Sequence, residues 1–305
     1  MNLVIMKRIT PIQGLTLFFL IGLFFLVLFF RNDLPLWRSL IFRYTVWIGL
    51  LFALKLASER GSGRLGALFN DFSPGLFVIL IYQSLGDLIQ YLHPDIDSML
   101  IRIDFFLLGV HPTVWMERWT VPWLTDLLSL AYASYYFLPV VLAIALYLKN
   151  PKRDFEVAMF VLLLGYYVSF IGYILFPAIG PRHTLTHLQT VPLEGSVITD
   201  FIRDTLNSWE HNKRDCMPSG HTQVALMVLF LSYRYRRLLF YFLLPVASGL
   251  ILSTVYHRYH YVIDLFAGAF LAVACVLIGP RLYKAWTRRI DSRAMKTEDQ
   301  VQTKF

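Results

Sequence analysis

With 305 residues, 57% of them hydrophobic and 16% charged, and a mean hydropathy of +0.56, the chain carries more apolar surface than a soluble domain can hide. It is expected to be an all-α polytopic membrane protein. The formal charge of +8 comes without any arginine–aromatic platform, which argues against nucleic acid as a partner and points to the membrane itself.

Apolar runs able to cross a hydrocarbon core of about 30 Å recur about eight times. They lie near 12–30, 37–57, 74–92, 124–148, 155–176, 218–233, 238–256 and 261–279, the sixth being short. The first follows Lys7 and Arg8 but is longer than a signal-peptide core, and no small-x-small cleavage site follows it. A retained anchor helix is expected. Basic residues then mark every second connection: Lys55, Arg60 and Arg64; Lys149, Lys152 and Arg153; Arg234, Arg236 and Arg237; Arg281, Lys284, Arg288 and Arg289. The positive-inside rule places that side, and both termini, in the cytoplasm.

Arg43, near the start of the second run, is expected to snorkel to the interface. Glu59–Arg64 reads as a flexible cytoplasmic turn. Gln83, Asp87 and Gln90 share a helical face in the third run, where Asp87 is either functional or paired with a neighbouring arginine; pairing is the simpler reading. From His93 to Pro122 the chain is half polar and rich in tryptophan (Trp115, Trp119, Trp123), as in an interfacial or re-entrant segment. Asp104 and His111 there could meet a headgroup, and Asp104 could equally cap or pair locally. Tyr132, Tyr135 and Tyr136 in the fourth run would either line a polar cavity or simply pack. The residues after Arg289 are polar and charged, and are read as a disordered tail.

Two stretches carry chemistry. In Arg214-Asp215-Cys216-Met217-Pro218-Ser219-Gly220-His221-Thr222 a polar loop enters an apolar helix. Pro218 suits the first helical position, and free N–H groups at Ser219 and Gly220 would offer an anion the positive end of the helix. In Ser253–Asp264, His260 and Asp264 stand four apart on one helical face. An aspartate accepting an imidazole N–H fixes its tautomer and leaves the other nitrogen to attack, while His221 can move a proton opposite. Arg182 supplies a fork of donors shaped for phosphate oxygens. Lys213, Arg214 and Arg258 are further candidates to meet a phosphate or the lipid headgroups. His257 reads as a satisfied polar residue and Cys216 as a small packing residue. The alternating spans place His221, His260 and Arg182 on the outer face together. These groups suffice for phosphoryl transfer without a metal or another cofactor.

Pro218-Ser219-Gly220-His221-Thr222 together with Ser253…His260-Tyr261…Asp264…Gly268 resembles the type 2 phosphatidic acid phosphatase (PAP2) superfamily of membrane enzymes. The resemblance covers roughly residues 100 to 280 and implies a six-helix catalytic core. It implies His260 as a nucleophile forming a phosphohistidine, Asp264 as its orienting partner, His221 as the general acid, and Ser219 and Gly220 as phosphate ligands. The family's Lys-x6-Arg-Pro motif is absent, and Thr254 stands where an arginine usually follows the serine. Phe176-Pro177…Gly180-Pro181-Arg182 instead resembles the Aur1-like branch that contains the inositol phosphorylceramide synthases, in which Arg182 would take over phosphate binding.

The expected organisation is N-terminal transmembrane helices over 1–98, a catalytic membrane domain over 99–289 and a polar tail over 290–305. The expected substrate is a membrane lipid phosphate, with water or a lipid hydroxyl as acceptor. A zinc hydrolase using His221, His260 and Asp264 is a rival, although His-x3-Asp alone is a weak metal signal. A transporter is another, and would call for paired discontinuous helices and repeated halves. Sidedness is testable by thiol labelling. A cysteine near Glu194 should react with an impermeant reagent from outside intact cells and one at Lys152 should not; the opposite pattern would overturn the orientation.

Overall fold

The computed structural model describes residues 9–60, 64–209 and 211–302. Lys7, Arg8 and the middle of the turn expected at 59–64 lie outside these residues. No strand occurs among the described residues, as expected where backbone groups in hydrocarbon must be paired within their own segment.

α1 (Pro11–Phe29) opens on Thr10, whose hydroxyl accepts the Gln13 N–H at 3.2 Å while the Gln13 side chain accepts the Thr10 N–H at 3.2 Å. α2 (Trp37–Arg60) and α3 (Arg64–Leu85) pack beside it. α4 (Asp97–Leu108) and α5 (Pro112–Trp115) follow, then α6 (Pro122–Ala133), α7 (Leu138–Lys149) and α8 (Lys152–Leu175). A long connection holding the short α9 (Pro181–Thr184) and the amphipathic α10 (Val197–Trp209) leads to α11 (Gly220–Tyr235), α12 (Arg237–Tyr256) and α13 (Val262–Gln302).

Two apolar cores meet at α8. One joins it to α1–α3 through Leu20, Tyr44, Phe77, Phe160 and Tyr167; the other joins it to α7 and α11–α13 through Leu142, Val224, Val228, Ala247 and Ala272. The Thr16 and Tyr167 hydroxyls are 2.9 Å apart, and Phe19 stacks on the Tyr167 ring at 4.5 Å. Gln223 clamps α11 to α8: its Oε1 accepts the Ser169 hydroxyl at 2.6 Å and its Nε2 donates to the Gly165 carbonyl at 3.0 Å. The helices before residue 98 therefore share a core with those after it.

Among the described residues six helices are long and apolar enough to cross a bilayer, and up to eight if each of two bent pairs counts as one span. Asp97–Leu108 with Pro112–Trp119 bends by 61°, and Pro122–Tyr136 with Leu138–Lys149 by 49°. Gly109, at φ 68°, ends α4 in the left-handed region. Pro139 accounts for the second break, since its ring lacks an N–H and crowds the Tyr135 carbonyl. The first bent pair falls in the segment expected to be interfacial or re-entrant, and the second covers the run expected at 124–148. The run at 218–233 is α11, whose 16 residues make about 24 Å of helix and sit at the centre of the bundle.

Two local expectations change. Arg43 pairs with Asp87 (Nη1–Oδ2 2.7 Å) rather than reaching out alone, and His211 Nε2 lies 2.9 Å from the other Asp87 oxygen. The stretch after Arg289, read as a disordered tail, continues α13 to Gln302. It contains strong helix formers and neither glycine nor proline.

Candidate active site

Buried acids gather the segments that form the site. Asp97 accepts the Ile179 and Gly180 N–H groups at 3.0 and 2.9 Å and the Tyr261 hydroxyl at 2.8 Å. Gly180 adopts φ 86°, and a Cβ there would lie 2.5 Å from the Tyr259 carbonyl oxygen, so the position takes glycine. The Arg182 N–H then donates to the Arg258 carbonyl at 2.8 Å, laying Phe176–Arg182 along the turn before α13. Asp104 accepts the Val262 and Ile263 N–H groups at 2.8 and 2.9 Å and so caps α13. Of the roles left open for Asp104, the cap is the one seen.

Ser219 is the N-cap of α11, its Oγ accepting the Thr222 N–H at 3.3 Å. Two expectations are corrected here. Pro218 lies in the turn before the cap instead of at the first helical position. The Ser219 N–H donates to the Asp264 carbonyl at 3.0 Å and is not free for an anion. The N–H groups of Gly220 and His221, which a helix leaves without internal acceptors, remain at this end.

His221 Nδ1 and His260 Nε2 are 3.2 Å apart. On its other side His260 Nδ1 lies 2.8 Å from the Cys216 carbonyl oxygen and 3.5 Å from Asp264 Oδ2. The expected hydrogen bond from imidazole to Asp264 is thus made to a carbonyl, with the carboxylate at ion-pair distance. Asp264 Oδ2 accepts the Cys216 thiol at 2.9 Å and the Tyr261 N–H at 2.8 Å. A carbonyl only accepts, so His260 Nδ1 carries a proton and donates it, and Nε2 faces His221. Cys216 does more than pack. Burial, and then the adjacent Asp264, hold its thiol well above the usual range, so it stays protonated and donates.

Arg182 lies over the Tyr259 ring at 4.7 Å, Tyr259 stacks on Tyr132 at 4.6 Å, and Tyr132 stacks on His221 at 4.8 Å. This stack separates two cavities, both lined by Tyr132 and Tyr259. One, of about 550 Å³, holds Arg182, Lys213, His183, Arg203 and Gln189. The other, of about 310 Å³, reaches His221. His260, only 2% exposed, lines neither. Sequence placed Arg182 and Lys213 beside the histidines; the structure sets them across the tyrosine pair.

Arg258 and Arg214, two further candidates for phosphate, are each paired with a carboxylate. Arg258 donates to Glu117 at 2.9 Å, the Val191 carbonyl at 2.6 Å and Gln189 at 3.2 Å, and it lines the larger cavity. Arg214 grips both oxygens of Asp95 at 2.7 and 3.1 Å and lines neither cavity. His183 is held below the usual imidazole range by burial and then by Arg182, whose Nε donates to it at 3.0 Å. Burial pushes His257 down to about 4, and its Nε2 lies 3.3 Å from the Ser129 hydroxyl, as suits a neutral, satisfied side chain. Asp97, Glu117 and Tyr259 had no readable signal beyond their place in polar or aromatic stretches.

The fold is that of an all-α polytopic membrane protein in which His221, His260 and Asp264 come together at one end of the bundle. The chain belongs to the PAP2 superfamily, which its residues 99–278 match and whose members are phosphatases. That stretch runs from within α4 through α12 to the site-bearing start of α13. A PA-phosphatase related-family protein of Dictyostelium discoideum is 27% identical over 176 residues, or 51% of this chain and 32% of that protein. The matched stretch is thus about a third of that relative's length. No solved structure matches the chain.

Gly268 lets α13 approach the cap of α11, since a Cβ there would collide with the Ser219 carbonyl oxygen. Gly268→Ala should push the two helices apart, cost about 1–3 kcal/mol and cut turnover at least tenfold. Gly49→Ala, with nothing within 4 Å, should do neither. Thermal unfolding and turnover of the purified proteins check this, and wild-type behaviour of Gly268→Ala would show that the close approach is unnecessary.

Proposed function

We propose that the protein is an integral-membrane phosphatase or phosphotransferase of PAP2 type acting on a lipid phosphoester, with His260 as nucleophile and His221 as general acid. The observation that carries this reading is the approach of His221 Nδ1 to His260 Nε2 at 3.2 Å, with the opposite nitrogen of His260 fixed by a carbonyl and a buried carboxylate. Membership in a superfamily of phosphatases supports the reaction class.

In the first step Nε2 bonds to phosphorus as the ester P–O bond breaks, and protonated His221 gives its proton to the departing alkoxide. Asp264 balances the positive ring of the phosphohistidine. In the second step water or a lipid hydroxyl gives its proton to His221, its oxygen bonds to phosphorus, and the N–P bond breaks. In-line geometry puts phosphorus between the rings, so substrate entry separates His221 from His260. The N–H groups of Gly220 and His221 meet the phosphoryl oxygens at the positive end of α11, and Arg182 and Lys213 hold the charged headgroup in the larger cavity. The likeness of Phe176–Arg182 to the Aur1-like branch favours a lipid hydroxyl as an acceptor beside water. The charge pattern places the site on the extracytoplasmic face, with both termini cytoplasmic.

One arrangement speaks for a metal. Ligand atoms of Cys216, His260 and Asp264 lie within 4.8 Å of one another. These atoms are engaged in the hydrogen bonds that set the imidazole, and the thiol is held in its proton-bearing form. The metal-free reading therefore expects activity to survive EDTA and to be blocked by vanadate, a mimic of five-coordinate phosphorus. Loss in EDTA, restored specifically by zinc, would place a metal on this trio.

His260→Ala should abolish both turnover and the phosphoenzyme. His221→Ala should still form the intermediate from an ester whose leaving group needs no proton, because general acid catalysis, typically worth 10²–10⁴-fold, is then dispensable. Asp264→Asn should fold and lose most activity. Labelled phospholipid supplied with and without a lipid alcohol reads the acceptor: label in water means hydrolysis, label in a new lipid means transfer. Wild-type turnover in His260→Ala would sink the mechanism.

A further inference from the structure

His221 stands in the wall of the smaller cavity. Seven of its lining residues are tyrosines, and Gln83 adds an amide. Its one carboxylate, Asp215, accepts the Tyr82 hydroxyl at 2.6 Å, and no lysine or arginine lines it. The larger cavity is cationic, with Arg182, Arg203, Lys213 and Arg258 against one carboxylate, Glu194. Phosphate belongs with the second lining. Phenols and an amide beside a carboxylate suit a neutral group that both gives and takes hydrogen bonds, which is what an alcohol does.

Position leads to the same occupant. In-line displacement sets the departing or arriving oxygen opposite His260 Nε2, hence on the His221 side. Val78, Ile79 and Phe170 supply apolar lining, and Ile79 is 61% exposed on a helix apolar enough to cross a bilayer. About 310 Å³ is at the low end of the range for small-molecule sites, so the cavity takes the head of a lipid and leaves its chains outside.

We infer that the tyrosine-lined cavity binds the neutral lipid alcohol, which leaves in the first half-reaction and, in transfer, enters in the second. Its hydroxyl lies at His221 and its chains pass by Val78 and Ile79 into the bilayer. The inference rests on the His260–His221 reading. It gives α3, which lies outside residues 99–278, a direct part in choosing the lipid.

Photolabelling of the full chain in lipid nanodiscs tests the site apart from catalysis. The probes are a diacylglycerol and an N-acyl amino alcohol, each with a diazirine close to its hydroxyl. The expected label falls on the α3 peptide around Val78–Gln83 and on Tyr132–Tyr136. Excess unlabelled alcohol should compete it away and inorganic phosphate should not, and the probe that labels at lower concentration identifies the type of alcohol. In a second arm Ile79→Trp, which narrows the mouth, should lower the ratio of kcat/KM for long-chain over short-chain lipid phosphates by about tenfold. Label on other surfaces only, or label displaced by inorganic phosphate, overturns the alcohol site, as does an unchanged chain-length ratio in a folded Ile79→Trp protein. If that variant fails to fold, the labelling pattern of the unaltered chain decides. Competed label on α3 alongside wild-type turnover in His260→Ala would sink the phosphohistidine reading and leave the alcohol site standing.

Discussion

Irregular backbone in apolar surroundings needs hydrogen-bond acceptors, and at the end of the bundle that carries the two histidines buried carboxylates supply them. Asp97 takes two N–H groups of the Phe176–Arg182 segment, and Asp104 takes the first two of α13. Glu117 takes those of Thr190 and Val191 at 3.2 and 3.3 Å together with the Arg258 guanidinium. Asp264 takes that of Tyr261. A buried donor left without a partner costs about 1–3 kcal/mol, so each acid fixes a loop in one conformation. Arg258 is held at φ 64°, in the left-handed region that non-glycine residues seldom occupy, where its side chain meets Glu117 and its carbonyl meets the Arg182 N–H.

The histidine pair inherits its geometry from these loops. Cys216 enters the arrangement twice, through a carbonyl that sets the His260 tautomer and a thiol that occupies Asp264. Ser219 enters twice as well, capping α11 with its side chain and tying α11 to α13 through its N–H. The nucleophilic nitrogen is thereby aimed before any substrate arrives, the condition under which fixed dipoles and charges contribute most to a reaction.

Much of this was legible in the sequence because two of its signals are short-ranged. Hydropathy over about twenty residues exposes a spanning helix, and spacings such as His260 to Asp264 survive folding because one helix sets them. The signals that failed were relational. Nothing in Asp97 or Glu117 distinguishes an acid that will accept three donors across the fold from one that faces water. Arg214 and Arg258 look like free cations until Asp95 and Glu117 are brought to them. Hydropathy found a run at 218–233 but not that α11 is a short, central helix, since length of burial depends on neighbours. Composition suggested a disordered end after Arg289, where helix propensity carried α13 onward.

The helices that precede residues 99–278 are mechanically part of the site. Tyr82 on α3 donates to Asp215 at 2.6 Å, and His211 reaches Asp87, which Arg43 of α2 also holds. Tyr44 and Ser84, with hydroxyl oxygens 3.1 Å apart, lock α2 to α3 next to these contacts. Both ends of the 211–215 segment are therefore pinned by helices outside the matched region, and the residue after it is Cys216. A shift of α3 would pass through Asp215 to the carbonyl that orients His260, since Cys216 follows Asp215 directly in the chain. The first three helices thus bear on the imidazole through positioning, whatever lipid the cavity beside α3 accepts.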